Sequence, residues 1–183
     1  MNLILFGYKK CGKTYFGLKV AHKMHMQYLD TDQMIEALFT ARYHQTLPCK
    51  QIVIHHGLHL LRELEKQVIY SLSQVKNTVI ALGGGAVLDE SNVEYIQKIG
   101  TLVYLKTDKE TLKKRILSGE IPSYIDTKDP VRSFEDMHAN RKPFYEKIPA
   151  FTIDTALKSE EDVVMLLSDI VEKIKDSEGE SSI

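Results

Sequence analysis

Leu3-Ile4-Leu5-Phe6-Gly7-Tyr8-Lys9-Lys10-Cys11-Gly12-Lys13-Thr14 joins a short apolar run to the pattern G-x-x-x-x-G-K-[ST]. The run reads as a strand buried on both faces and closed by Gly7, and a helix-compatible segment begins near Lys13. Strand, glycine turn and helix in that order make a phosphate cradle. Backbone freedom at Gly7 and Gly12 lets the N–H groups of Tyr8, Lys9, Lys10 and Cys11 curl around phosphate oxygens, and the helix N-terminus adds positive potential. Lys13 then reaches the β- and γ-phosphates, while the Thr14 hydroxyl is placed to hold Mg²⁺. The expected ligand is a nucleoside triphosphate. Cys11 reads as a small neutral filler of the loop, because phosphoryl chemistry calls for no thiolate.

The same strand-then-helix theme recurs outward from this segment. Asn77–Leu82 (NTVIAL) ends in Gly83-Gly84-Gly85, Thr101–Leu105 (TLVYL) precedes a Lys/Glu-rich helical stretch, and Ala150–Ile153 precedes an amphipathic segment over Ser159–Ile174. Alternation of this kind predicts an α/β fold, a parallel sheet flanked by helices. Between the first strand and Asn77–Leu82, residues 32–73 are helical in pattern apart from Thr46-Leu47-Pro48, and form a candidate substrate-holding region within a single domain over residues 1–175. Residues 118–127 combine Gly119 and Pro122 between helical segments and are read as a mobile lid. Asp176–Ile183 is small, polar and acidic, and is expected to fray.

Composition narrows the function classes. The 24 Lys and Arg are matched by 25 Asp and Glu scattered along the 183 residues, so no basic stripe for nucleic acid is present. Cys11 and Cys49 have neither zinc-ligand spacing nor the density of a disulfide scaffold. No basic segment precedes an apolar N-terminal run, and no stretch is long and apolar enough for a membrane, so a cytoplasmic location is expected. A monomer is expected, because no long apolar surface stripe is visible.

Two carboxylates on alternate residues stand in Leu29-Asp30-Thr31-Asp32, at the distance expected for the end of the second strand, where a parallel sheet presents its functional edge. One could bind metal-bound water while the other accepts a hydroxyl proton; equally, the pair could simply cap the next helix. Arg62 alone would ordinarily be a solvated helix residue paired with Glu63 or Glu65, and Arg141 a helix-end cation. His55, His56 and His59 share a helical stretch but lack a further ligand, and Tyr104 and Tyr145 read as core.

Leu61-Arg62-Glu63-Leu64-Glu65, Leu82-Gly83-Gly84-Gly85 and Asn140-Arg141-Lys142-Pro143-Phe144-Tyr145 follow the phosphate cradle and Asp30-Thr31-Asp32 in order. Together they resemble the shikimate kinase family across nearly the whole chain, whose pattern includes D-[ST]-D, F-R-x-x-E, a triple glycine and R-x-P-x-Y. The resemblance implies a nucleoside-monophosphate-kinase type of P-loop fold and transfer of the ATP γ-phosphate, with Mg²⁺, to the 3-hydroxyl of shikimate, a step of aromatic amino-acid biosynthesis. It implies that Asp30 organises Mg²⁺ through water, that Asp32 binds the acceptor hydroxyl and serves as its base, and that Arg62 and Arg141 clamp the substrate carboxylate. Gly83, Gly84 and Gly85 would give the substrate room and backbone donors, and Arg115 would join the nucleotide-binding residues.

Several positions depart from the pattern. Lys10 and Tyr15 stand where the family has small residues, Leu61 replaces an aromatic, and the lid element R-P-L-L aligns with Ile121-Pro122-Ser123-Tyr124, without its arginine. Lys10 or Arg115 is the expected substitute cation. A P-loop kinase for another small acceptor such as gluconate or a nucleoside monophosphate, and a binding protein that has lost turnover, are the competing readings.

Overall fold

The computed structural model describes residues 1–180. It begins with the expected buried strand, β1 (Asn2–Phe6), every residue of which is buried. The remaining strands are β2 (Gln27–Asp30), β3 (Thr78–Ala81), β4 (Gly100–Lys106) and β5 (Phe151–Asp154), all parallel to their neighbours in the order β2-β3-β1-β4-β5. Parallel neighbours require crossovers, and helices supply them. They are α1 (Lys13–Lys23), α2 (Thr31–Tyr43), α3 (Cys49–Ser71), α4 (Glu90–Ile99), α5 (Lys109–Leu117), α6 (Pro130–Lys147) and α7 (Glu160–Glu180). Successive units leave β1 on opposite sides, so a crevice opens at the carboxyl ends of β1 and β3, where open α/β sheets bind ligands.

Alternate residues of the central strands feed two cores. Ile4, Phe6, Ile80, Leu82, Leu102 and Tyr104 face Ile69, Ile96, Leu112, Phe134 and Tyr145. Leu3, Leu5, Val79, Val103 and Leu105 face Phe16 and Val20 of α1 and Val163 and Leu167 of α7. A smaller third core, around Ile35, Phe39, Ile52 and Leu64, joins α2 to α3. Tyr104 and Tyr145 belong to the first core, and Phe6 stacks on Tyr104 with ring centroids 5.3 Å apart. Burial of this kind contributes roughly 1.5–3 kcal/mol per large apolar side chain.

One local feature differs from the sequence expectation. α3 is broken at Gly57, whose φ of 86° and ψ of 163° lie outside helical space. A Cβ there would meet no atom within 4 Å, so it is the left-handed backbone and not crowding that favours glycine. The break lets Cys49, Lys50 and Val53 line the same cleft as Arg62. The final helix runs to Glu180, into the stretch expected to fray, and residues 181–183 of that stretch lie outside the described residues. The seam of Val163, Leu167, Ile170 and Val171 anchors α7, and propagation adds one hydrogen bond for each further residue fixed.

Candidate active site

The loop between β1 and α1 has the backbone of a cradle. Gly7, Lys10 and Gly12 have φ of 144°, 69° and 103°. A Cβ on Gly7 would stand 2.7 Å from the Leu105 carbonyl oxygen, so glycine is required there on steric grounds as well. Lys10 tolerates the left-handed region at a cost of about 1–2 kcal/mol. The Lys13 ammonium donates to the carbonyl oxygens of Gly7 at 3.0 Å and Tyr8 at 2.9 Å, which holds it across the mouth of the loop. Cys11 is fully buried in the second core, a packing residue as expected. Arg115, in the last turn of α5, donates to the Lys10 carbonyl at 3.3 Å and so touches the loop.

Asp30 caps the next helix and also faces the phosphate cradle. Its Oδ1 accepts from the Asp32 N–H at 3.0 Å and caps α2, while its Oδ2 accepts from Thr14 Oγ1 at 3.1 Å and from the Tyr28 hydroxyl at 3.2 Å. Thr14 and Asp30 thus present adjacent hard oxygens beside the phosphate cradle. Among the described residues no group of three or more His, Cys, Asp or Glu side chains could hold a metal. This donor set suits Mg²⁺, which is commonly bound through one or two protein oxygens together with phosphate oxygens and water.

Asp32 sits one helical residue further, inside a cleft of about 210 Å³ that it shares with Lys9, Arg62, Glu65, Gly84, Gly85 and Arg141. Burial, and next the neighbouring Asp30 carboxylate, push its carboxyl above the usual range, opposed by Lys13 and Lys9. A raised carboxyl is a stronger base for a hydroxyl proton. The lid residues Pro122, Ser123 and Tyr124 and the apolar Val53, Leu58 and Leu61 complete the walls.

The glycine triplet is explained by what stands against each member. A Cβ on Gly83 would collide with Asp32 Oδ1, one on Gly85 with the Arg62 guanidinium, and one on Gly84 would lie 3.3 Å from the Lys9 backbone nitrogen. The Gly83 N–H donates to Thr31 Oγ1 at 2.8 Å, and the Tyr145 hydroxyl donates to the Gly84 carbonyl. Arg62 donates from Nη1 to Glu65 Oε2 at 2.6 Å. Glu65 is only 3% exposed, and burial pushes its carboxyl up while Arg62 opposes the shift. Arg141 enters from α6 with its guanidinium 4.2 Å from the centre of the Tyr124 ring.

The predicted residues therefore converge. Gly7, Tyr8, Lys9, Lys10, Gly12, Lys13, Thr14 and Arg115 surround the cradle, while Asp32, Arg62, Gly84, Gly85 and Arg141 line the cleft, with Gly83 against Asp32. Sequence reasoning missed Tyr124, Cys49 and Lys50 as cleft residues, and took Glu65 only as a surface partner. Tyr145 was placed correctly in the core without its hydroxyl contact to Gly84. The helical spacing of Arg62 and Glu65 was the available signal for the pair; nothing in the irregular lid announced Tyr124.

A family model described as shikimate kinase matches residues 9–175. A shikimate kinase of Caldanaerobacter subterraneus subsp. tengcongensis is 33% identical over 162 residues, covering 88% of this chain and 91% of that protein. The structure of the Acinetobacter baumannii shikimate kinase in complex with shikimate superposes with a TM-score of 0.83 at 26% identity, covering 95% of this chain and 94% of the other. The Aquifex aeolicus shikimate kinase superposes at 0.74 with 27% identity, covering 92% and 95%. A phosphate cradle opening onto a cleft with a buried carboxylate and two arginines, on a fold shared over nearly its full length, thus has a family: the chain belongs to the shikimate kinases.

Proposed function

We propose that this chain catalyses ATP-dependent phosphorylation of the shikimate 3-hydroxyl, giving shikimate 3-phosphate and ADP, and that the residues gathered in the cleft carry it. The observation that supports this most is the single cavity shared by Asp32, Arg62 and Arg141, with the P-loop residue Lys9 on its wall. Arg62 and Arg141 hold the substrate carboxylate. Glu65 takes one Arg62 N–H and thereby orients the remaining donors toward the ligand.

Asp32 takes the proton from the acceptor hydroxyl as that oxygen attacks the γ-phosphorus. Lys13 leaves its loop carbonyls for the phosphate oxygens, a short rearrangement that preserves its hydrogen-bond count. Thr14 Oγ1, and Asp30 through water, would hold Mg²⁺. When bound, the ion neutralises charge on the β- and γ-phosphates. Closure of residues 118–127 keeps water from competing with the sugar-like hydroxyl.

Among the described residues no helix is long and apolar enough to cross a membrane. A cytoplasmic monomer of about the sequence mass, 20.9 kDa, is the proposed working form. An ADP-release assay with shikimate, gluconate and a nucleoside monophosphate tests the reaction. Turnover with shikimate alone is expected; preference for another acceptor, or shikimate binding without turnover, would overturn the proposal.

A further inference from the structure

The cations around the cleft are unequal in what already holds them. Lys13 is engaged by the carbonyls of Gly7 and Tyr8, Arg62 by Glu65, and Arg115 by the Lys10 carbonyl. Arg141 lies over the Tyr124 ring, and Lys50 pairs with the lid residue Glu120 at 3.1 Å. Lys9 and Lys10 differ from these, since neither side chain makes a hydrogen bond or ion pair among the described residues, and of the two it is Lys9 that lines the cleft with Asp32.

Its position in the fold sets its direction of action. Lys9 belongs to the cradle, yet its backbone nitrogen is packed against Gly84, so the side chain leaves the chain where the cradle meets the acceptor cleft. The two alternatives are less well placed. Lys10 has its ammonium 3.5 Å from the position of a Cβ on Gly119, toward the lid and not among the cleft-lining groups. Ile121, in the lid, is apolar and packs on the first core.

We propose that Lys9 is a further catalytic residue of this enzyme, supplying from the phosphate loop a cation for the phosphoryl group as it passes to the acceptor oxygen. The inference rests on the phosphoryl transfer proposed above. A phosphoryl group in transit carries charge on its equatorial oxygens, and an ammonium beside its path stabilises the transition state more than either bound ground state. The charge is drawn from the loop, so lid closure has only to exclude water. The lid carries the acid Glu120 next to apolar Ile121, and Glu120 is held by Lys50, a contact that fastens the lid to α3.

The test compares Lys9→Met and Lys9→Arg with the unaltered enzyme in turnover and in binding. Lys9→Met is expected to lower kcat at least tenfold with the shikimate and ATP KM values within about threefold, and Lys9→Arg to recover most of the loss. Calorimetric affinity for shikimate should change less than about threefold in the presence of MgADP alone. With MgADP and aluminium fluoride, which mimics the group in transit, it should fall at least tenfold. Unchanged kcat in Lys9→Met, equal losses in the two binding experiments, or a loss confined to a parallel Lys10→Met variant would each overturn the assignment. Turnover of shikimate by the unaltered enzyme checks the functional reading separately: without it both ideas fall, whereas with it a silent Lys9→Met removes Lys9 alone.

Discussion

Gly85→Ala is the cleanest single perturbation of the acceptor side. Gly85 has φ −100° and ψ −10°, which alanine adopts without strain, so the methyl group acts only through the space it occupies. That space is filled by the Arg62 guanidinium, whose carbon would be 2.7 Å from the new Cβ. The flexible side chain of Arg62 yields before the backbone does. In yielding, it gives up the aim at the substrate carboxylate proposed for it and strains its 2.6 Å bond to Glu65. A hydrogen bond to a charged group is worth about 1.5–3 kcal/mol. Loss of one such contact predicts a shikimate KM raised about 10- to 150-fold. The ATP KM should remain within about twofold, because the cradle is built from β1 and the start of α1. Steady-state ADP release, titrated in each substrate with the other saturating, measures both constants, and thermal unfolding reports the fold. A shikimate KM within twofold of the unaltered enzyme would refute the reading of Gly85 as the space for Arg62. A parallel rise in both KM values would mean that the methyl group disturbs the fold instead.

Other changes probe the remaining parts. Asp32→Asn should lower kcat by at least 100-fold in steady-state assays, since general-base catalysis contributes about 10²–10⁴-fold and an amide keeps the shape without taking the proton; a change within threefold would leave Asp32 as a positioning group. Gly57→Ala replaces the residue that breaks α3, and either carries a penalty of about 1–3 kcal/mol or straightens the helix. Chemical denaturation and a shikimate titration together should show lower stability or a raised KM, and a variant unchanged in both would remove the break as a shaping element. Lys13→Ala should abolish detectable ADP release while leaving the melting temperature within a few degrees, because its ammonium contacts only loop carbonyls and the Cys11 thiol.

The layered fold was legible because each strand carries its own evidence. β1 is a continuous apolar run before a glycine turn, and its alternate residues do feed opposite cores. The P-loop was legible for the same reason: its chemistry, its glycines and its flanking elements are contiguous. The acceptor cleft was legible only in part, since it gathers residues from distant segments. Arg62 and Arg141 were identified by resemblance, not by spacing, and the partners that fix them, Glu65 and Tyr124, depend on tertiary approach. The break at Gly57 left one local sign, a glycine within a helical pattern. Its consequence, turning Lys50 and Val53 toward the site, required the structure.

The triple glycine shows why a site drawn from so many elements can hold one geometry. Gly83 receives α2 through its N–H to Thr31 Oγ1 and through the close approach of Asp32. Gly84 receives α6 through the Tyr145 hydroxyl and the P-loop through Lys9, and Gly85 receives α3 through Arg62. Each contact is with backbone or with space that a side chain would fill. A single turn after β3 therefore fixes Asp32, Arg62 and the cradle relative to one another. Since β3 pairs directly with β1, which carries the cradle, the register Leu3 to Val79 through Leu5 to Ala81 sets the distance over which the phosphoryl group must travel. Substitutions in this turn should then separate by position: Gly83→Ala should act on kcat through Asp32, whereas Gly85→Ala should act on shikimate affinity through Arg62. Equal kinetic effects from the two would show that the turn behaves as one unit instead of as separate supports for base and clamp.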